Sequence, residues 1–225
     1  MSRKPTHVHP NFPINEFTTG EAWRLFKIMG EFVEGIDSLY DLGPAVSIFG
    51  SARIQPEHDY YRLTQDTAAL FGRAGYAVIT GGGPGLMQAA NQGARQADAR
   101  SVGLCIKLPF EEKPNTFMDT RIEFDYFFVR KVMFLKYGRA FIIMPGGLGT
   151  LDEFFETFTL IQTRRVLRVP LVLFGTDFWG GLVAWIREQL VAQRLISPLD
   201  LDLFHVVDEP ETALEIVESF YRKND

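Results

Sequence analysis

The stretch Ala77-Val-Ile-Thr-Gly-Gly-Gly-Pro-Gly-Leu-Met87 decides the reading of the fold. It begins as an apolar, β-branched run, the composition of a buried strand. Glycines at 81, 82, 83 and 85 then turn the chain, and residues 86–96 carry apolar positions at helical spacing. A strand that passes through glycines straight into a helix is half of a βαβ unit, so a parallel sheet is expected. The same order recurs in Ala140-Phe-Ile-Ile-Met-Pro-Gly-Gly-Leu-Gly-Thr150, with a helix expected over 151–162.

Working outward, further strands are expected over 45–49, 76–80, 101–106, 121–126, 169–174 and 204–207. Helices are expected over 60–74, 129–137, 178–192 and 210–221, with Pro210 early in the last, where a missing N–H costs little. Continuous apolar strands alternating with helices predict an α/β, Rossmann-like three-layer domain over 44–225. Residues 1–43 form a tail and an additional helix. That helix, over 17–39, has a broad apolar stripe of Trp23, Phe26, Ile28, Met29, Phe32, Val33, Ile36 and Leu39. The breadth argues for burial, either on the domain or on a neighbouring subunit. There is no internal repeat and no low-complexity linker.

The bulk composition narrows the function class. Of 225 residues, 46% are hydrophobic and 23% charged, a globular balance that argues against disorder. A net charge of −5 gives no global attraction for nucleic acid or an anionic membrane, so neither partner is expected. The single cysteine excludes an internal disulfide and fits a reducing, cytoplasmic setting. Cys105 lies in an apolar run and reads as an inert buried thiol. No apolar run reaches the ~18–20 residues of a membrane span, and the N-terminus lacks a signal-peptide core. His7 and His9 lack further ligands at metal-binding spacing, so a solvated tail is favoured and no metal is expected.

Both glycine turns precede helices, whose first N–H groups are unpaired and carry a partial positive charge. Glycine lets those N–H groups approach an anion closely. The bland account is two tight strand–helix turns that need glycine for steric reasons alone. Two such turns at the carboxyl ends of parallel strands favour the anion site, because ligands bind there in open α/β sheets. The spacing excludes familiar cofactors. G-x-G-x-x-G fails at Leu86 and at Leu148, and no Gly-Lys-Ser/Thr follows either turn. A dehydrogenase is therefore not expected.

Asp152 and Glu153 follow the second turn. Acids in a first helical turn complement the dipole, but here they border the proposed anion site and repel phosphate. Arg130 and Lys131 stand near the start of an apolar helix, where cations are disfavoured by ~0.3–1 kcal/mol; such a misfit points to function. A guanidinium there can make a two-pronged bond to a carboxylate or phosphate. Arg164, Arg165 and Arg168 form a third basic cluster, read either as helix C-terminal charge or as a subunit or ligand contact.

At these residues the sequence resembles the Lonely Guy family, long labelled lysine decarboxylases. The G-G-G-x-G-x-M turn reads Gly81-Gly-Gly-Pro-Gly-Leu-Met87, and the P-G-G-x-G-T-x-x-E motif reads Pro145-Gly-Gly-Leu-Gly-Thr-Leu-Asp-Glu153. The R-K helix reads Arg130-Lys-Val-Met-Phe134, and the early loop reads Gly50-Ser-Ala-Arg53. The resemblance runs from about Pro44 to Tyr221, and the N-terminal helix matches the longer subclass. It implies a phosphoribohydrolase that splits nucleoside 5′-monophosphates, cytokinin nucleotides or AMP, into free base and ribose 5-phosphate. It implies a homodimer or higher homo-oligomer and no cofactor. Matched by motif, Arg130 and Glu153 are the catalytic pair. Ser51, Gly82, Gly83, Gly85, Met87, Lys131, Gly146, Gly147, Gly149 and Thr150 bind the nucleotide and its phosphate. Base recognition falls to residues 108–119 and 124–128. In this reading Arg130 holds Glu153 ionised by lowering its pKa. The alternative is a nucleotide-binding module without catalysis, which shares the glycine turns but does not need Arg130 and Glu153 to converge.

Overall fold

The computed structural model describes residues 19–107 and 113–223, with side chains from residue 23 onward. His7 and His9 lie outside the described residues, as does the stretch 108–112 of the expected base-reading segment. Among the described residues, seven parallel strands form one sheet: β1 (Ala45–Phe49), β2 (Ala77–Thr80), β3 (Ser101–Ile106), β4 (Thr120–Phe124), β5 (Gly138–Ile143), β6 (Leu171–Phe174) and β7 (His205–Val207). Their order is β4-β3-β2-β1-β5-β6-β7. The chain builds outward from β1 to β4, then crosses back to place β5 on the other side of β1. Strand order reverses between β1 and β5, so the crevice sits above Phe49 and Ile143, which are paired in register.

Alternation along the strands divides two cores, because successive side chains point to opposite faces. Ala45, Phe49, Ile79, Leu104, Phe141 and Leu173 face α1 (Thr19–Leu39), α4 (Phe127–Tyr137), α5 (Leu148–Gln162) and α6 (Thr176–Trp185). Val46, Ile48, Val78, Ile142, Val172 and Phe174 face α2 (Asp59–Arg73), α3 (Leu86–Gln96) and α7 (Pro210–Arg222). Each fully buried Val, Leu, Ile or Phe contributes about 1.5–3 kcal/mol. This is the three-layer arrangement expected, and Pro210 begins α7 as read.

Three sequence expectations are corrected. The helix after β5 begins at Leu148, so Gly149 and Thr150 belong to its first turn rather than to a loop. Helix formation asks little of residues there beyond satisfying the first N–H groups, and only Gly147 stands outside as the cap. The helix expected over 178–192 is α-helical only to Trp185 and continues as a π-helical turn, Ile186–Val191. A short 3-10 helix, Pro198–Leu203, went unread in the sequence although Ser197 and Asp200 form a capping box at its start.

Helix α1 forms over the expected residues, and its apolar stripe divides in two. Ile28, Phe32 and Leu39 pack on the core, but Trp23 is 72% exposed, Phe26 61% and Val33 66%. The broad stripe is therefore not buried within this chain: one side seats on α4 and the rest faces outward. Gly35 lies against α4 at this seat: a Cβ there would come within 2.8 Å of Met133 Sδ and the thioether would have to shift.

Gly85 caps α3 at φ +67°, and a Cβ on it would strike the backbone of Ser51 and Ala52, the carbonyl carbon of Ala52 at 2.6 Å. Neither strain nor collision can be relieved by a side-chain rotation. Gly85→Ala is expected to destabilise the protein by about 2–4 kcal/mol, read as a lower urea midpoint.

Candidate active site

The loop after β1 is the hub of the crevice. Ser51 N donates to Pro145 O at 3.0 Å, tying it to the second glycine turn. Ser51 O accepts from Leu86 N at 2.9 Å, tying it to the first. Ser51 Oγ accepts from Arg53 N and fixes the loop's own bend. The three motifs, far apart in sequence, thus meet around one residue.

Together they line a cavity of about 1170 Å³ that contains Ser51, Gly82, Gly83, Met87, Arg130, Gly147, Gly149, Thr150 and Glu153. That is ample for a nucleotide. Gly147 caps α5 without any side-chain hydrogen bond, and Gly147, Leu148 and Gly149 are exposed. The first N–H groups of α5 therefore face open space, where an anion can take the place of a cap. Thr150 is buried beneath them, and Gly146 is packed so tightly on its side chain that no Cβ fits between.

Not every expected residue serves the cavity directly. Gly85 and Gly146 shape it through close packing rather than by lining it. Lys131 Nζ pairs with Asp152 Oδ2 at 2.8 Å and Glu156 Oε2 at 3.2 Å, so it joins α4 to α5 and is absent from the lining. Gly82 N is also occupied, donating to Thr80 Oγ1 at 2.9 Å. Arg164 sits just beyond α5 in a left-handed conformation, and Arg168 donates to Asp202 O. The 164–168 cluster lies away from the cavity.

Arg130 of α4 and Glu153 of α5 line the same cavity. The Arg130 Nε donates to Leu104 O at 2.7 Å, and its guanidinium lies against the Gly81 backbone so closely that a Cβ on Gly81 would collide with it. Its Cζ stands 5.3 Å from the centre of the Phe134 ring. Burial lowers its pKa, and the nearby charge of Glu153 opposes that. Glu153 is 8% exposed. Its carboxyl is pushed up to about 7 because burial outweighs the pull of Arg130 and Lys131, and the charges of Glu156 and Asp152 add to the rise. This corrects the expectation that Arg130 leaves Glu153 with a depressed pKa: the cation acts in that direction but loses to desolvation. A carboxylate titrating near 7 is matched to general-base work.

Phe127 lines the cavity from the expected base-reading segment, whereas Cys105, Lys107, Arg121 and Glu123 line it without having been expected there. Arg121 and Glu123 alternate on the edge strand β4 and form an ion pair there. Their place at the crevice follows from strand order, a tertiary property that local spacing does not record. Cys105 is buried as expected, and burial raises its thiol pKa.

A family model described as possible lysine decarboxylase matches residues 87–217. A cytokinin riboside 5′-monophosphate phosphoribohydrolase of Mycobacterium tuberculosis is 34% identical over 167 residues, spanning 71% of this chain and 86% of that protein. The chain belongs to the Lonely Guy family. An Arabidopsis thaliana protein of the same name is 32% identical over 143 residues, covering 62% of this chain and 64% of its own. Among solved structures, a molybdenum cofactor binding protein from Rippkaea orientalis is 23% identical with a TM-score of 0.56, covering 79% of this chain and 97% of that one. At that identity it supports the fold alone.

Proposed function

We propose that this Lonely Guy family protein hydrolyses the N-glycosidic bond of nucleoside 5′-monophosphates, cytokinin nucleotides or AMP, to free base and ribose 5-phosphate. The observation that carries the reading is a buried Glu153, with a carboxyl near 7, one helical turn from an open helix N-terminus. The 5′-phosphate sits on the N–H groups of residues 147–150. That leaves the ribose C1′ within reach of Glu153. Departure of the base builds positive charge on the ribose, as in other glycosyl transfers. The Glu153 carboxylate stabilises that charge and takes a proton from water. The water oxygen bonds to C1′ as the C1′–N bond breaks, and the leaving base takes up a proton. Arg130 holds the carboxylate aimed. The family's curated relatives carry the same activity in their names.

The test is a panel of AMP, other nucleoside monophosphates and isopentenyladenine riboside monophosphate, scored by chromatography for free base and ribose 5-phosphate. Tight binding of every nucleotide without release of base would replace the reading with a non-catalytic nucleotide-binding module.

We also propose that the protein works as a homo-oligomer in the cytoplasm. The outward stripe of α1, continued by Phe128 and Val132 of α4, is the kind of apolar patch that marks a protein–protein contact. Phe26→Glu combined with Val33→Glu is expected to reduce the mass measured by light scattering to that of one 25.6 kDa chain.

A further inference from the structure

Beneath the first glycine turn lies a buried hydrogen-bond network that the activity reading does not use. Asn115 is its centre and is 7% exposed. Its backbone N donates to Gly82 O at 2.9 Å. Its Nδ2 donates to Gly83 O and to Asn91 Oδ1, both at 3.0 Å, while its Oδ1 accepts from Phe117 N. Asn91 Oδ1 also accepts from Thr80 Oγ1 at 2.7 Å, and Asn91 Nδ2 donates to Ser101 Oγ at 2.8 Å. Every polar atom of the Asn115 side chain is thus engaged, which is the condition for a buried polar group to be stabilising.

The network fixes the direction of the turn. Gly82 adopts φ +73°, a conformation set by the bonds on either side of it: its N–H to Thr80 and its C=O from Asn115. The preceding residue, Gly81, is the surface on which the Arg130 guanidinium rests. The guanidinium therefore packs on the very turn that Asn115 holds, with Glu153 lining the same cavity. We propose that Asn115 is a positioning residue for catalysis: it locks the Gly81–Gly83 turn and so keeps Arg130 in its seat beside Leu104 O, in the cavity it shares with Glu153. An amide is required at 115, since a carboxylate there would face Gly83 O and Asn91 Oδ1, both acceptors.

The proposal rests on the activity reading for its kinetic consequence but not for its physical one. The groups that set the Glu153 charge are Arg130 and Lys131 from α4 and Glu156 and Asp152 from α5. Asn115 touches none of them in the bonds described above. If it merely stabilises the fold, its removal lowers the unfolding midpoint and leaves the Glu153 titration alone. If it positions Arg130, its removal weakens the cation's pull and Glu153 titrates at higher pH.

The experiment compares full-length wild type with Asn115→Ala. One readout is the ¹³C titration of the Glu153 carboxyl, identified by its loss in Glu153→Gln. The other is steady-state cleavage of AMP. The expected result is an upward shift of the Glu153 pKa by about 0.5 unit or more. A fall in kcat of about tenfold or more is expected with it, while KM stays within about threefold. An unmoved Glu153 titration overturns the proposal, whatever happens to the melting temperature. If wild type releases no base, the activity reading fails and the titration still decides the role of Asn115. Should Asn115→Ala not fold, Asn115→Ser retains one donor and is judged by the same titration, with a smaller upward shift expected and no shift counting against the proposal.

Discussion

Glu153→Gln is expected to abolish most base release while making the protein more stable at neutral and alkaline pH. The activity loss should be at least about 10²–10⁴-fold in kcat, the scale of removing a positioned general base, and an amide cannot stabilise a developing cation as a carboxylate does. The stability gain follows from the direction of the pKa shift. In the unfolded chain the carboxyl ionises near 4.5; in the folded protein it is raised to about 7. Between those values the native state holds more protons than the unfolded one, so stability falls as pH rises through that window. Above pH 7 the full penalty is present, on the order of 3 kcal/mol at one pKa unit per 1.36 kcal/mol. Below pH 4.5 it vanishes. Glutamine carries no charge to desolvate, so the gain should be largest above pH 7 and close to nil below 4.5. Urea unfolding at pH 4.5 and pH 8 checks this, and equal stability of both proteins at pH 8 contradicts the buried-carboxylate assignment. In the wild type, kcat/KM should rise with pH to a plateau above about 7, because the working form is the carboxylate.

Arg130→Ala is expected to produce the second largest loss, about 10²–10³-fold in kcat/KM. Three contacts go at once: the Nε bond to Leu104 O, the packing on the Gly81 backbone and the charge beside Glu153. The charge is the diagnostic one. Arg130 is the strongest of the groups that oppose the rise in the Glu153 pKa, so without it the acid limb of kcat/KM should move to higher pH. Arg130→Lys keeps a cation but not the planar donors, and should recover the position of the limb better than it recovers the rate. A limb that stays near 7 in Arg130→Ala would separate Arg130 from Glu153 and return it to a structural role.

Much of this molecule is legible in the chain because its fold and its motifs share one pattern. Ala45–Phe49, Leu86–Gln96 and Ser101–Ile106 fall at the residues where the apolar periodicity starts and stops. The exceptions have local causes. Gly149 and Thr150 read as turn residues because propensity counts composition, yet the first turn of a helix is where such residues are tolerated. The broad stripe of α1 leaves open whether the domain or a neighbouring subunit covers it, because periodicity records how much of a surface is apolar, not what lies on it.

Two strand–glycine–helix units in a parallel sheet, accompanied by Arg130 and Glu153, can be read from the chain alone. Those are properties of spacing, written over a few turns of chain. Only the tertiary structure decided which groups meet. Reversal of strand order at β1 brings Ser51 between the two glycine turns. Lys131, adjacent to Arg130 in sequence, turns to Asp152 and Glu156 instead of the crevice, because neighbours on a helix point about 100° apart. The balance at Glu153 is tertiary for the same reason: burial and two cations act on it in opposite directions, and their sum depends on distances that no spacing records.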